Sequence, residues 1–201
     1  MSGTVVVFDL GGVLYDFAVD EDAHARLFAT ASGGVIDRTK RRLRFRPLFV
    51  RFETGGLSPS EFAGTVVRDL DLVLDPTAFL AAFRAMAAGW YPGALALVRE
   101  TAARHTVVSL SNTNAVHWDK ILGDLDGADP FHAHFPSHLS GHHKPDQGGF
   151  LTIAQAYPGR NLVFLDDRTE NVATASDLGW TARTVRGVDQ ARLALRGIDG
   201  L

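Results

Sequence analysis

Three short apolar runs, each emptying into polar residues, constrain what this chain can fold into more than any other feature. Val5 to Phe8 is consecutively apolar, mostly β-branched, and is followed at once by Asp9 and then by Gly11 and Gly12. Thr106 to Leu110 leads into Ser111-Asn112-Thr113-Asn114, and Leu162 to Leu165 leads into Asp166-Asp167. Runs without polar alternation fit strands buried on both faces. Helical patterns lie between them: Ala94 to His105 puts Leu95, Val98 and Ala102 on one face, and Asn171 to Leu178 spaces Val172, Ala175 and Leu178 in the same way. The alternation predicts an α/β fold, a three-layer Rossmann-like parallel sheet with helices on both faces. Shorter strands are expected over Thr181 to Val185 and Ala133 to Ser137. Ligands of such sheets sit beyond the carboxyl ends of the strands, so the polar tails should gather at one edge.

The stretch from Phe17 to Gly89 interrupts the alternation and is too long for one crossover helix. Helical patterns run over Asp22 to Ala31, Arg38 to Arg51, Pro59 to Leu70 and Pro76 to Ala88. Ser58, Pro59 and Glu61 together form a helix start: a capping serine, a proline in the first turn and a glutamate at the capping-box position. The expected organisation is a core of residues 1–16 and 90–201, with residues 17–89 inserted as a small helical domain after the first strand.

Composition narrows the function classes. In 201 residues, 46% are hydrophobic, so one core can bury roughly 70% of the unfolded chain's surface without covalent staples. There is no cysteine, which removes thiol chemistry, zinc ribbons and disulfide scaffolds and fits a reducing compartment. A formal charge of −3 argues against a general polyanion binder, so no nucleic-acid partner is expected. No apolar run approaches the roughly 20 residues of a membrane span, and no basic leader precedes the first run. A cytoplasmic protein with no membrane association is the expectation; the oligomeric state is open.

Four segments in chain order resemble the four motifs of the haloacid dehalogenase-like (HAD) hydrolase superfamily, phosphatase branch with a small helical cap. They are VVVFDLGGVLYD around Asp9, VVSLSNTN around Ser111, GHHKPDQGGF around Lys144 and VFLDDRTENVATASDLGW around Asp166 and Asp167. The resemblance implies the HAD fold and a Mg²⁺-dependent phosphatase acting on a small phosphorylated metabolite, such as a sugar phosphate. In that reading Asp9 is the nucleophile and forms a phosphoaspartyl intermediate. Lys144 neutralises it and a phosphoryl oxygen, Ser111 and Asn112 hold the phosphate, and Asp9, the Gly11 carbonyl, Asp166 and Asp167 ligate the metal. It also makes the insertion a lid that selects substrate, with hinges near Phe17 and Gly89 to Pro92, and RFETGGLSPSEF resembles a cap segment of the phosphatase branch.

The residue types suit the chemistry on their own terms. A carboxylate attacking a phosphoryl dianion needs compensating positive charge, which magnesium and a lysine supply. Carboxylates are the hard oxygen ligands Mg²⁺ prefers, and Ser111 with turn amides suits the remaining phosphoryl oxygens. Only Lys40, Lys120 and Lys144 are lysines among 20 basic residues, so a lysine at the motif position stands out. The departure is Gly11, which occupies the place where most phosphatases of the superfamily carry a second aspartate as general acid and base. Substitute proton carriers are Asp16, His142, His143 or a metal-bound water. This glycine motivates a rival reading, a phosphate-ligand binding or regulatory protein with little turnover. A second rival, a metal-independent haloacid dehalogenase, makes no use of Asp166-Asp167.

Other features have plainer readings. The six basic residues between Arg38 and Arg46 fit a solvated helix face, with an anionic substrate contact from the cap as the next choice. His132, His134 and His138 are spaced unlike a metal site. Trp90, Trp118 and Trp180 are packing residues, and Phe45 to Phe52 a cap core.

Overall fold

The computed structural model describes residues 3–17 and 38–198, with the backbone alone over residues 38–44. The expected helix Asp22 to Ala31 and most of the basic run's side chains lie outside the described residues. Among the described residues, β1 (Thr4–Phe8) and β2 (Tyr15–Phe17) are followed by three helices, α1 (Arg38–Glu53), α2 (Pro59–Asp69) and α3 (Pro76–Arg84). The chain continues through β3 (Ala87–Trp90), α4 (Ala94–Ala102), β4 (Thr106–Ser111), α5 (Ala115–Gly123), β5 (Ala133–Pro136), the short α6 (Ser137–Ser140) and α7 (Gln147–Ala156). Then come β6 (Asn161–Asp166), α8 (Thr169–Asp177), β7 (Thr181–Thr184) and α9 (Gly187–Arg196).

Five strands form one parallel sheet in the order β5-β4-β1-β6-β7, which is the HAD fold with its helical insert. β1 is central because all five of its residues are buried, and only a strand covered on both faces tolerates the sequence TVVVF. Register then aligns the strand ends. Phe8 pairs with Leu165 on one side and Ser109 on the other, so one step further along the chain Asp9 comes beside Asp166. Two apolar layers flank the sheet, one containing Val6, Phe8, Leu97 and Ile121, the other Val5, Val7, Phe150 and Phe164.

The three helices α1 to α3 pack on one another around a separate cluster of Phe52, Phe62, Phe79 and Phe83. Phe52 and Phe62 stack at 4.2 Å between centroids. Each buried ring removes enough apolar surface to contribute about 2–3 kcal/mol, so the insert has a hydrophobic centre of its own. The Ser58 capping box forms as the sequence predicts, with Glu61 N bonded to Ser58 Oγ and Ser58 N to Glu61 Oε2 at 2.8 Å. One expectation fails. The helix predicted to Ala88 ends at Arg84, and Ala87–Trp90 instead pairs antiparallel with β2. A left-handed φ of +136° at Gly89 and the aromatic contacts of Trp90 with Tyr15 favour this two-stranded ribbon over a further helical turn. The ribbon is where the chain enters and leaves the helical insert.

Candidate active site

The carboxyl ends of β1, β4 and β6, with the loop before α7, converge on one lysine. Lys144 Nζ lies 3.0 Å from Asp9 Oδ1 and 2.6 Å from Asp166 Oδ2, and also donates to the Leu110 carbonyl at 2.8 Å. Its side chain is 2% exposed, so the ammonium is wholly enclosed by these acceptors. Burial disfavours its charge, but Asp9 and Asp166 outweigh that and hold Lys144 above the ordinary lysine value.

Asp166 is the fixed member of the acidic group. Its Oδ1 accepts from the Arg168 backbone N–H at 2.8 Å and from Asn171 Nδ2 at 2.9 Å, so the first turn of α8 clamps it. Asp9 is freer, with Oδ1 accepting from Leu10 N at 2.8 Å. Burial, reinforced by the charges of Asp166 and Asp167 and opposed by Lys144, pushes Asp9 up to about 7. Asp167 is likewise raised, by burial first and Asp166 second. Asp9, Asp166 and Asp167 each offer one oxygen within 4.8 Å of the others, the only such group among the described residues. Three carboxylates around one ammonium leave the cluster short of positive charge, and all its donors are hard oxygens. A magnesium-sized dication fits that set. Asn171 Oδ1 and Thr113 Oγ1 beside it are buried without a partner, as expected of atoms that face a ligand.

These groups open into a cavity of about 380 Å³, walled on the core side by Asp9, Gly11 and Lys144 and on the other by Arg46, Phe49 and Glu53 of α1. Gly12 sits beneath it with φ +72°, and a Cβ there would stand 2.7 Å from Asp167 Oδ2, so the loop after Asp9 requires glycine at this point.

The residues singled out in the sequence are placed as follows. Asp9, Gly11, Asn112, Lys144 and Asp167 line the cavity, with Asp166 buried behind them. Ser111 is the last residue of β4, 2% exposed, and Asn112 and Thr113 rather than Ser111 form that wall. The Asn112 side chain is committed to the lysine loop: its Oδ1 accepts from Lys144 N at 2.8 Å and its Nδ2 donates to Lys144 O at 2.9 Å. Of the three side chains considered as proton carriers, His143 is on the wall, whereas His142 packs over Gly148 and Asp16 neighbours Tyr91. Sequence reading missed Glu53, Thr113 and Asn171, and named Arg46 only within the basic run, read first as a solvated helix face with an anionic substrate contact as the next choice. Asn171 had a signal, as a polar residue in the first turn after Asp166-Asp167; Glu53 had none, because no local pattern says which helix face turns toward a distant sheet.

His132 and His134 of the histidine series are structural. Ser109 Oγ, His134 Nδ1 at 2.7 Å and Asp129 Oδ2, 2.7 Å from His134 Nε2, have the connectivity of a hydrolytic triad, but Ser109 is 0% exposed in mid-strand and no substrate reaches it. His132 accepts from Val107 N at 3.1 Å, so both residues fasten β5 and its approach to β4.

The sheet order, the helical insert and an acidic cluster at the carboxyl edge define a HAD-type α/β hydrolase. Residues 4–179 match the haloacid dehalogenase-like hydrolase family, and the chain belongs to it. In fold it is similar to a HAD family enzyme of Bacteroides thetaiotaomicron, at TM-score 0.85 and 22% identity over 96% of this chain and 99% of that one. The same enzyme in complex with magnesium and inorganic phosphate aligns at TM-score 0.78 and 22% identity, covering 94% and 98% of the two chains. The L-2-haloacid dehalogenase of Xanthobacter autotrophicus with chloropropionic acid covalently bound is less similar, at 0.62 and 20% over 98% and 84%. A curated relative, drimenol cyclase of Aspergillus calidoustus, is 30% identical over 96 residues, which span 47% of this chain and 18% of that protein. No helix among the described residues is long and apolar enough to cross a membrane.

Proposed function

We propose that this chain is a magnesium-dependent phosphatase of a small phosphorylated metabolite, with Asp9 as nucleophile. The observation that carries the reading is the buried Lys144 bridging Asp9 and Asp166 beside Asp167, at the floor of a cavity walled on one side by α1 of the insert. The solved complex of a fold relative with magnesium and inorganic phosphate supports it. Asp9, Asp166, Asp167 and the Gly11 carbonyl would hold the metal, which supplies charge neutralisation for an incoming phosphoryl group. Lys144 aims Asp9 and favours its ionised form, opposing the burial that pushes the carboxyl up to about 7 even with this ammonium in place. Ser111 ends β4 and sets up the turn in which the backbone of Asn112 and Thr113 receives phosphoryl oxygens. Residues 17–89 act as the cap over residues 1–16 and 90–201, and the α1 wall excludes water.

The test is phosphate release from a panel of phosphorylated metabolites. Release with Mg²⁺ and loss of at least about a hundredfold in chelator is expected; release unaffected by chelator, or chelator-resistant halide release from a haloacid, contradicts the reading. Ligand binding with no phosphate release from any member would instead favour the regulatory alternative that Gly11 motivates.

Gly12→Ala provides a local check. The left-handed backbone costs an L-residue about 1–2 kcal/mol, and the new methyl pushes Asp167 out of the cluster. Magnesium affinity by calorimetry should fall on the order of tenfold or more, and unchanged affinity would place the metal elsewhere.

A further inference from the structure

Among the described residues, the histidines, the glutamate and the lysine that line the cavity are each committed elsewhere. Position 11, two residues after Asp9 and on the cavity wall, has no side chain. His143 is held at both ring nitrogens. Asn112 must present its Nδ2–H to His143 Nδ1 at 3.2 Å, because its Oδ1 already accepts from Lys144 N. His143 Nε2–H therefore donates to Glu53 at 2.9 Å, which occupies this cap-wall carboxylate as well. His117 is fixed by the same logic: Asn114 Oδ1 accepts from its backbone N–H, Asn114 Nδ2 donates to its Nδ1 at 3.2 Å, and its Nε2–H donates to the Phe83 carbonyl at 2.9 Å. Lys144 is enclosed by Asp9, Asp166 and the Leu110 carbonyl. Burial and the neighbouring Asp16 push the Tyr91 phenol above its ordinary value, which makes it a poor donor.

A second, independent feature faces this wall. Along α1, Arg46, Phe49, Val50 and Glu53 stand at helical spacing on the side lining the cavity. Glu53 is paired with His143, and across the cavity Arg168 is paired with Glu170, but Arg46 has neither hydrogen bond nor ion pair among the described residues. An unpaired guanidinium on the cap side of a phosphate-sized site is placed to receive an anion other than the phosphoryl group held at the core.

Taking the phosphatase reading as its basis, we propose that the substrate is a phosphoanhydride, an acyl phosphate or an organic diphosphate, whose leaving group departs as a stabilised anion against Arg46 without being protonated. In the first step an Asp9 oxygen forms a bond to phosphorus while the bond from phosphorus to the bridging oxygen breaks. The electron pair leaves on a carboxylate or phosphate that is a weak base and needs no proton. In the second step water attacks the aspartyl phosphate. The bond from phosphorus to the Asp9 oxygen breaks, Asp9 returns as a carboxylate, and the protons of the water end on inorganic phosphate and in solvent. That leaving group is itself a carboxylate, so neither step calls for the acid that position 11 lacks. An alkyl phosphate, by contrast, must expel an alkoxide, for which a general acid contributes on the order of 10²–10⁴-fold.

The test measures kcat/KM with Mg²⁺ for acetyl phosphate, pyrophosphate, ethyl phosphate and aryl phosphates graded in the acidity of their phenols. Expected are a steep fall in rate as the leaving group becomes more basic and a preference of at least about 10²-fold for the two anhydrides over ethyl phosphate. Gly11→Asp should narrow that preference by accelerating ethyl phosphate. Arg46→Gln should lower the ratio of pyrophosphate to 4-nitrophenyl phosphate turnover on the order of tenfold, with Arg46→Lys retaining part of it and all variants checked by thermal melting. A shallow dependence on leaving-group basicity, with ethyl phosphate within tenfold of the anhydrides, overturns the inference and leaves the phosphatase reading intact. A pyrophosphate ratio unmoved by Arg46→Gln overturns the role of the cap arginine. Release from no compound in the series overturns both readings together.

Discussion

Asp9→Asn should reduce phosphate release on the order of 10⁴-fold or more while leaving the protein folded. An amide cannot form the bond to phosphorus, and a residue that acts as one unit with its partners takes most of the catalysis with it when removed. Folding should survive because the change removes a buried negative charge that burial already penalises, as the upward push of Asp9 to about 7 indicates. Asparagine keeps an oxygen for the Leu10 backbone N–H that Asp9 now accepts at 2.8 Å. Steady-state rates beside a thermal melt check both halves, and a variant within tenfold of the parent would remove Asp9 from the chemistry.

Lys144→Met should have the largest effect on stability. The ammonium is enclosed between Asp9 at 3.0 Å and Asp166 at 2.6 Å, with side chains 10% and 0% exposed. Removing one partner of a buried pair leaves uncompensated charge, and the expected loss is about 3–5 kcal/mol in urea unfolding. Part of that loss should return with Mg²⁺, because a cation bound to the folded state alone adds stability by mass action and takes over the neutralising role. Activity should fall by about 10³-fold even in the folded fraction. A stability change below about 1 kcal/mol would show that the lysine is not what balances the acidic cluster.

Much of this site was readable before folding because it is built at strand ends. VVVF tolerates only a doubly covered strand, so Asp9 had to emerge at the carboxyl edge, and register brought Asp166 beside it. Ser58 and Glu61 announced α2 because a capping box is a purely local device. Local signals also explain what was missed. β2 and β3 are three and four residues long, too short for a period of two to show, and Ala87–Trp90 reads as helix until its pairing with Tyr15–Phe17 is known. Phe45, Phe49 and Phe52 were readable as cap packing, but not that Phe49 would share its helix face with Arg46 and Glu53 toward the sheet edge. That orientation depends on how the insert meets the core, through contacts such as Glu53 with His143, about which neighbouring residues carry no information.

The central claim is that a carboxylate at the end of β1, balanced by Lys144 and opposed to Asp167, attacks phosphorus. The most direct measurement is acid quenching of the enzyme during turnover with Mg²⁺, followed by mass spectrometry of the peptide containing Asp9. The account predicts that this peptide gains the mass of one phosphoryl group, that hydroxylamine removes it, and that the Asp9→Asn protein shows none. Phosphate release without any such adduct, or an adduct on a peptide other than the one holding Asp9, would contradict it.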